Sequence, residues 1–106
     1  MPSQVDLVET VGTTVIAITG ELDSSSSTPL RDRLMALIPD SGQVRLDLSG
    51  LTYISSAGLR TLLLVYRRAT SRGTQVTLTG IQDEVWFVMS ATGFLNLFDV
   101  EGKPEP

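Results

Sequence analysis

The spacing of apolar residues divides the chain into alternating strands and helices. Period-two or β-branched runs predict strands, and apolar residues three and four positions apart predict helices. The predicted strands cover residues 4–11, 14–19, 44–48 and 75–79, and the predicted helices cover residues 29–38, 56–71 and 82–92. Residues 95–100 follow as a short edge strand or a final turn, and we expect Glu101 to Pro106 to be a frayed polar tail.

Turn and capping residues mark several boundaries of these elements. Gly12-Thr13 predicts the turn of an antiparallel hairpin. Gly20 to Asp23 leaves the second strand, and Ser24 to Ser27 form a polar loop. Thr28 before Pro29 predicts a helix with Thr28 as its N-cap, because proline at the first helical position loses no hydrogen bond.

Strands that alternate with helices predict an α/β domain with a mostly parallel sheet. The first two strands add an N-terminal antiparallel hairpin, so we expect a mixed sheet of four or five strands. Each predicted helix carries a single apolar stripe, which predicts helices mainly on one face of the sheet. The length fits one domain over residues 1–106, and we expect its ordered core to cover residues 4–100.

The most informative stretch joins the third strand to the second helix. Ser49-Gly50 predicts the end of the strand, and a polar loop then leads to Ser55 and Ser56, which are both candidate N-caps. Such a junction lies at the carboxyl end of a strand, where α/β proteins usually bind ligands and partners. A phosphate on either serine would be stabilised by the free amides and the positive dipole end of the helix. The spacing alone also fits serines that only cap the helix.

Composition narrows the classes of function. The chain contains neither histidine nor cysteine. This excludes a Ser-His-Asp triad, zinc ligated by histidine or cysteine, and disulfides built from this chain alone. The formal net charge of -4 argues against a nucleic-acid surface built on bulk charge and favours a protein partner. We expect no cofactor.

The N-terminus and the apolar runs predict an intracellular protein. The first residues contain neither the basic region nor the apolar region of a signal peptide. The longest uninterrupted apolar run, Leu62 to Tyr66, is far shorter than the roughly 20 residues that a membrane span requires. We therefore expect a cytoplasmic protein without a membrane partner.

The run from Val44 to Leu59, VRLDLSGLTYISSAGL, together with Gly20-Glu21-Leu22-Asp23, resembles the STAS domain of bacterial anti-sigma-factor antagonists. The resemblance covers nearly the whole chain and implies a STAS fold and a protein that is not an enzyme. In this family, the unphosphorylated antagonist captures an anti-sigma factor that is also a serine kinase. Phosphorylation releases that kinase, and a PP2C-type phosphatase resets the switch. The resemblance therefore implies these two partners, and we expect a monomer or a weak dimer.

The same resemblance implies the site residues. Aligned through Gly58-Leu59, Ser56 falls on the family's phosphorylated serine, and Ser55, which stands where the family often has aspartate, is the runner-up. Asp23 matches an aspartate that lies beside the phosphorylation site and contributes to partner binding, although a carboxylate that only caps its own loop fits as well. The residues implied to bind the partner are Asp23, Ser24, Ser55, Ser56, Gly58, Leu59 and Arg60.

Two alternative functions compete with this one, and the sequence supports only the first. The first is a STAS module that is never phosphorylated and serves as a binding subunit of another regulatory or transport assembly, which the serine at position 55 supports. The second is an enzyme, but the chain contains neither a Gly-x-Ser-x-Gly elbow nor a Gly-x-x-x-x-Gly-Lys phosphate loop.

Two features of the predicted helices also allow two interpretations. Trp86 and Phe87 form either an exposed interaction patch or packing under the C-terminal segment. Four arginines cluster around the second helix. They either bind an acidic partner or a phosphate group, or they form a solvated helix face without a binding role. They are Arg60, Arg67, Arg68 and Arg72.

Overall fold

The computed structural model describes the backbone of residues 4–10 and 13–101 and the side chains of residues 14–101. The strands are β1 (Gln4–Thr10), β2 (Thr13–Leu22), β3 (Gly42–Ile54), β4 (Thr74–Thr79) and β5 (Val100–Glu101). The helices are α1 (Ser27–Leu37), α2 (Ser56–Ser71) and α3 (Asp83–Ala91), and a 3-10 helix follows at Phe94–Leu97.

The five strands form one sheet in the order β1-β2-β3-β4-β5. β1 runs antiparallel to β2, and the other neighbours are parallel. The parallel strands are joined through α1, α2 and α3, because two neighbouring parallel strands need a crossover connection. The predicted fold class, a mixed sheet that opens with an antiparallel hairpin, is therefore confirmed.

The helices pack on one face of the sheet. Alternate side chains of the three central strands point to this face and are almost fully buried, and they are Ile16, Ile18, Val44, Leu46, Leu48, Val76 and Leu78. Leu34 of α1, Leu62 of α2 and Met89 of α3 belong to the same buried cluster. On the other face, Arg45 and Gln75 are exposed. The prediction of helices mainly on one face is thus confirmed.

The prediction that β3 ends at Ser49-Gly50 is wrong, as is the prediction that the chain leaves β2 at Gly20. Both strands continue side by side, and Leu22 pairs with Ile54 at their ends. The register shifts once just before this extension, between Ala17 and Thr19, and once within it, between Gly20 and Glu21. The buried residues of β3 therefore change from a spacing of two to a spacing of three, at Leu48, Leu51 and Ile54. This irregularity hides the strand from a period-two pattern.

The start of α1 also differs from the prediction. The helix begins at Ser27 with Ser26 as its N-cap, so Thr28 is not the cap. Pro29 occupies the third helical position, where its missing N–H is again harmless, because the first helical hydrogen bond is donated by Leu30 to the Ser26 carbonyl. The loop before α1 is therefore shorter than predicted.

The remaining boundaries agree closely with the sequence. α2 has the predicted range, and Gly73 follows its C-cap with a φ of 92°, in the left-handed region that glycine favours. Both predicted forms of the C-terminal segment are present, since the 3-10 helix is followed by the two-residue strand β5. Thr13 of the predicted hairpin turn lies in β2, and Glu101 of the predicted tail lies in β5, paired with Thr79, so these two predictions are wrong. Gly12 and residues 102–106 lie outside the described residues.

Candidate functional site

Ser55 joins the end of β3 to the start of α2 and is held by three hydrogen bonds. Its N–H donates to the Leu22 carbonyl over 2.9 Å, and its hydroxyl oxygen accepts from the N–H of Gly58 over 3.2 Å. Its own carbonyl accepts from the N–H of Leu59 over 2.9 Å. Ser55 is therefore the N-cap of α2, as one of the two sequence interpretations predicted.

Ser56 is the first residue of α2 and is exposed to solvent. Within the described part of the chain, no other residue forms a hydrogen bond with its hydroxyl group. The first turn of α2 contains no acidic residue, so the positive end of the helix dipole is not compensated there by a carboxylate. The hydroxyl of Ser56 is thus accessible in a setting that favours an added negative charge.

Gly58 and Leu59 lie under this junction rather than on its surface. A Cβ atom on Gly58 would approach the carbonyl oxygen of Leu22 to 2.8 Å and Cγ1 of Ile54 to 2.9 Å. Leu59 is only 1% exposed and belongs to the core. These two residues fix the first turn of α2 against the ends of β2 and β3, and the surface of the junction is formed by their neighbours.

Asp23 follows Leu22 directly, so its loop lies beside the junction. One carboxylate oxygen of Asp23 accepts from the N–H of Ser25 over 2.9 Å, from the hydroxyl of Ser25 over 2.6 Å and from the N–H of Ser26 over 3.2 Å. The hydrogen bonds from Ser25, followed by those from Ser26, lower the pKa of Asp23 below its ordinary value. The carboxylate therefore organises its own loop, the alternative that the sequence left open, while its predicted role in partner binding stays a prediction.

Two more residues predicted to bind the partner are exposed beside these loops. Ser24 lies in the loop after β2, and Arg60 lies in the second turn of α2. Ser56 and Arg60 are four residues apart on the helix, which places their side chains as neighbours on its surface. The structure thus gathers the predicted site residues around one junction, with Gly58 and Leu59 beneath it.

A shallow groove that the sequence did not predict opens next to the junction. It has a volume of about 90 Å³ and lies between the end of β3 and α3, lined by Thr52, Tyr53, Ile54, Glu84, Val85 and Val88. Tyr53 is 50% exposed. Phe87 is 71% exposed on the same helix, so the interpretation of Phe87 as packing is wrong, whereas Trp86 packs against the core.

The described residues contain no group of three acidic side chains placed to hold a metal ion. Among the same residues, none of the helices has the length and apolar character needed to cross a membrane. What the junction offers is a surface of loops, hydroxyl groups and one guanidinium group, which suits recognition by another protein.

Comparisons with known proteins agree with this geometry. The family model described as "Mlab, STAS domain" matches residues 5–99. BtrV of Bordetella bronchiseptica, named an anti-sigma factor antagonist, is 34% identical over 96 residues, which cover 89% of this chain and 82% of BtrV. The anti-sigma-B factor antagonist of Bacillus subtilis is 24% identical over 105 residues, which cover 99% of this chain and 96% of that protein.

Among solved structures, an anti-sigma factor antagonist from Mycobacterium paratuberculosis superposes with a TM-score of 0.77 at 21% identity. The superposition covers 95% of this chain and 86% of the other. At this level of identity the likeness concerns the fold alone.

Proposed function

Because the chain belongs to the STAS-domain family, we propose that it is an anti-sigma factor antagonist that is switched by phosphorylation of Ser56. In this proposal, the unphosphorylated chain binds an anti-sigma factor that is also a serine kinase. The kinase then phosphorylates Ser56 and dissociates, and a PP2C-type phosphatase restores the binding form. The proposal needs no catalysis and no cofactor from this chain.

One observation carries the choice of Ser56. Its hydroxyl is exposed and has no hydrogen-bond partner among residues 14–101, whereas the hydroxyl of Ser55 caps α2. A kinase that modified Ser55 would first have to remove the cap, at a cost of about 1 kcal/mol. A kinase that modified Ser56 would leave the hydrogen bonds of the junction in place.

The added phosphate acts on the partner more than on the chain itself. A phosphoserine carries about -1.5 to -2 charges at pH 7. At position 56 it would face the positive dipole end of α2 and lie one turn before Arg60, so the folded chain tolerates it. An acidic or closely packed partner surface would instead meet an unfavourable charge, which typically costs several kcal/mol at an interface.

The test measures phosphorylation and binding with the serine-kinase anti-sigma factor of the same organism. Incubation with that kinase and ATP, followed by peptide mapping, is expected to place one phosphate on Ser56. Ser56→Ala should abolish its incorporation and keep the affinity for the unphosphorylated state, and Ser56→Asp should weaken binding more than about tenfold in titration calorimetry. Ser41→Ala removes an exposed serine just before the opposite end of β3, outside the residues predicted to bind the partner, and is the matched control. Equal affinities of Ser56→Asp and Ser56→Ala for the anti-sigma factor would contradict a phosphorylation switch at Ser56.

A second function keeps the fold and the binding surface but not the phosphorylation. The observation that favours it is the N-cap of α2, where Ser55 stands in place of the aspartate that the family motif often has. A chain that binds its partner constitutively, and that carries no phosphate when purified from its host under growth or stress, would be such a subunit of another assembly.

A further inference from the structure

The exposed face of α2 is basic, although the chain as a whole is acidic. The helix carries three arginines and no acidic residue over its 16 positions, within a chain whose formal net charge is -4. At 100° per residue, Arg60, Leu64, Arg67 and Arg68 fall within about a quarter of the helix circumference. We call these four residues the basic stripe.

The basic stripe lies opposite the buried side of the helix. Leu59, Leu62 and Val65 face the core, while all three arginines of the stripe are exposed. Leu64, at the centre of the stripe, is 41% exposed. Arg60 and Arg67 are two turns apart, which corresponds to roughly 10 Å along the axis. The stripe therefore continues the junction surface along α2 with an apolar centre and a charged surround.

The arginines of the basic stripe differ from other arginines of the chain in their ion pairs. Arg31 lies 3.4 Å from Asp32 and Arg72 lies 3.6 Å from Asp40, and Arg45 pairs with Glu101. In contrast, no acidic group among the described residues lies within ion-pair distance of Arg60, Arg67 or Arg68. Three neighbouring guanidinium groups without an acidic partner repel one another, and an acidic surface outside the chain would relieve this repulsion.

We propose that the basic stripe docks onto an acidic surface of the anti-sigma factor, with Leu64 seated in an apolar depression between the acidic groups. This inference rests on the proposed function and deepens it, because it names the chemistry of the partner surface. Arginine is enriched at protein interfaces, where it combines a charge with apolar contact area. A polyanion such as nucleic acid or an anionic membrane would be repelled by the net charge of the remaining chain, whereas a local acidic cluster on a protein meets the stripe alone.

The test removes the three positive charges of the basic stripe and compares this variant with one that lacks three other arginines. The stripe variant is Arg60→Gln/Arg67→Gln/Arg68→Gln, and the control is Arg31→Gln/Arg45→Gln/Arg72→Gln, which has the same net charge. Affinity for the anti-sigma factor is measured by calorimetry at ~50 and ~300 mM NaCl. We expect the stripe variant to bind roughly tenfold more weakly at the lower salt concentration and to lose most of the salt dependence. The control should stay near the wild-type affinity.

Equal losses in the two triple variants, or an unchanged salt dependence in the stripe variant, would overturn the inference. If the wild-type chain binds no anti-sigma factor, the proposed function fails, and the stripe is then tested with poly-L-glutamate by amide NMR shifts. Shifts along α2 that disappear in the stripe variant support an acidic ligand surface, and their absence contradicts it. Binding of duplex DNA or phosphatidylglycerol vesicles through the same arginines would contradict a protein partner.

Discussion

At the scale of single residues, Gly58 sets how closely α2 approaches the end of β2. We expect Gly58→Ala to destabilise the protein by about 1–2 kcal/mol. Alanine gains about 1 kcal/mol of helix propensity over glycine, but its Cβ would lie 2.8 Å from the Leu22 carbonyl oxygen. Overpacking costs about 1–3 kcal/mol, and we expect the upper part of that range, about 2–3 kcal/mol, because three heavy atoms lie within 2.9 Å of the Cβ position. Because that oxygen belongs to the backbone, it cannot turn aside. Urea unfolding gives the free energy of unfolding.

A second variant separates the contact with the Leu22 side chain from the contacts with the Leu22 carbonyl oxygen and with Cγ1 of Ile54. The Leu22 side chain also lies 2.8 Å from the Cβ position of Gly58. If only that side chain mattered, Leu22→Ala would make the additional Gly58→Ala change harmless. We expect the penalty of Gly58→Ala to persist in the Leu22→Ala background, and a protein with Gly58→Ala as stable as wild type would refute the steric argument.

At the scale of elements, the two serines at the start of α2 have separable roles. Ser55→Ala removes the hydrogen bond that the cap accepts from the Gly58 N–H, so it should lower the free energy of unfolding by about 1 kcal/mol. Ser56→Ala removes no hydrogen bond described in the structure and should change it by less than about 0.5 kcal/mol. Urea unfolding of both variants provides the comparison. A larger loss of unfolding free energy for Ser56→Ala than for Ser55→Ala would show that Ser56 acts as the cap. That result would weaken the proposal that Ser56 is the modified residue.

Helix ends were predictable from the sequence where their signals are local. Ser55 and Gly73 bound α2 through a side-chain cap and a left-handed residue, and both signals lie within four residues of the helix end that they specify. The long end of β3 was not predictable in this way. Its pairing with β2 depends on residues about 30 positions away, and the register shifts there place Leu51 and Ile54 in the core at a spacing that local periodicity does not recognise.

At the scale of the whole molecule, the resemblance to STAS domains implies that Asp23 lies near Ser55 and Ser56, whereas nothing in the sequence predicts the groove beside them. The loop at Asp23 and the serines at 55 and 56 follow neighbouring parallel strands, so their proximity follows from topology. The groove depends on how α3 docks beside the end of β3, which no residue pattern specifies. The sequence predicts Tyr53 in a polar loop. The residue lies instead on β3, half exposed, where it lines the groove together with Glu84 and Val88.

The C-terminal segment closes the sheet beyond β4, and one tyrosine links it to α2. The Tyr66 ring packs edge-on against Phe98 with centroids 5.1 Å apart, and its hydroxyl donates to the Asp99 carboxylate over 3.0 Å. The carbonyl of Asp99 accepts from the N–H of Leu78 in β4 over 2.8 Å. Phe98 and Asp99 therefore connect the C-terminal segment to α2 through Tyr66, and Asp99 also connects it to β4 through Leu78.

We expect this link to make the free energy of unfolding fall at alkaline pH. Burial, together with the hydrogen bond and the negative charge of Asp99, raises the pKa of Tyr66 above its ordinary value of 10.0. A raised pKa in the folded state means that the unfolded chain loses its proton first. The contribution of Tyr66 is therefore fully present below about pH 10 and is lost as the pH rises through the folded-state pKa. Tyr66→Phe keeps the ring contact with Phe98 and should flatten this alkaline loss in urea unfolding.

The control for this dependence is Tyr53→Phe, which removes the only other tyrosine of the chain. It should leave the alkaline loss in place, because Tyr53 lies on the groove and takes no part in the link to the C-terminal segment. Hydrogen exchange at the Leu78 amide reports the same event locally, since that amide donates to Asp99. An alkaline loss of equal size in wild type and Tyr66→Phe would show that the Tyr66 hydroxyl does not help to hold the C-terminal segment.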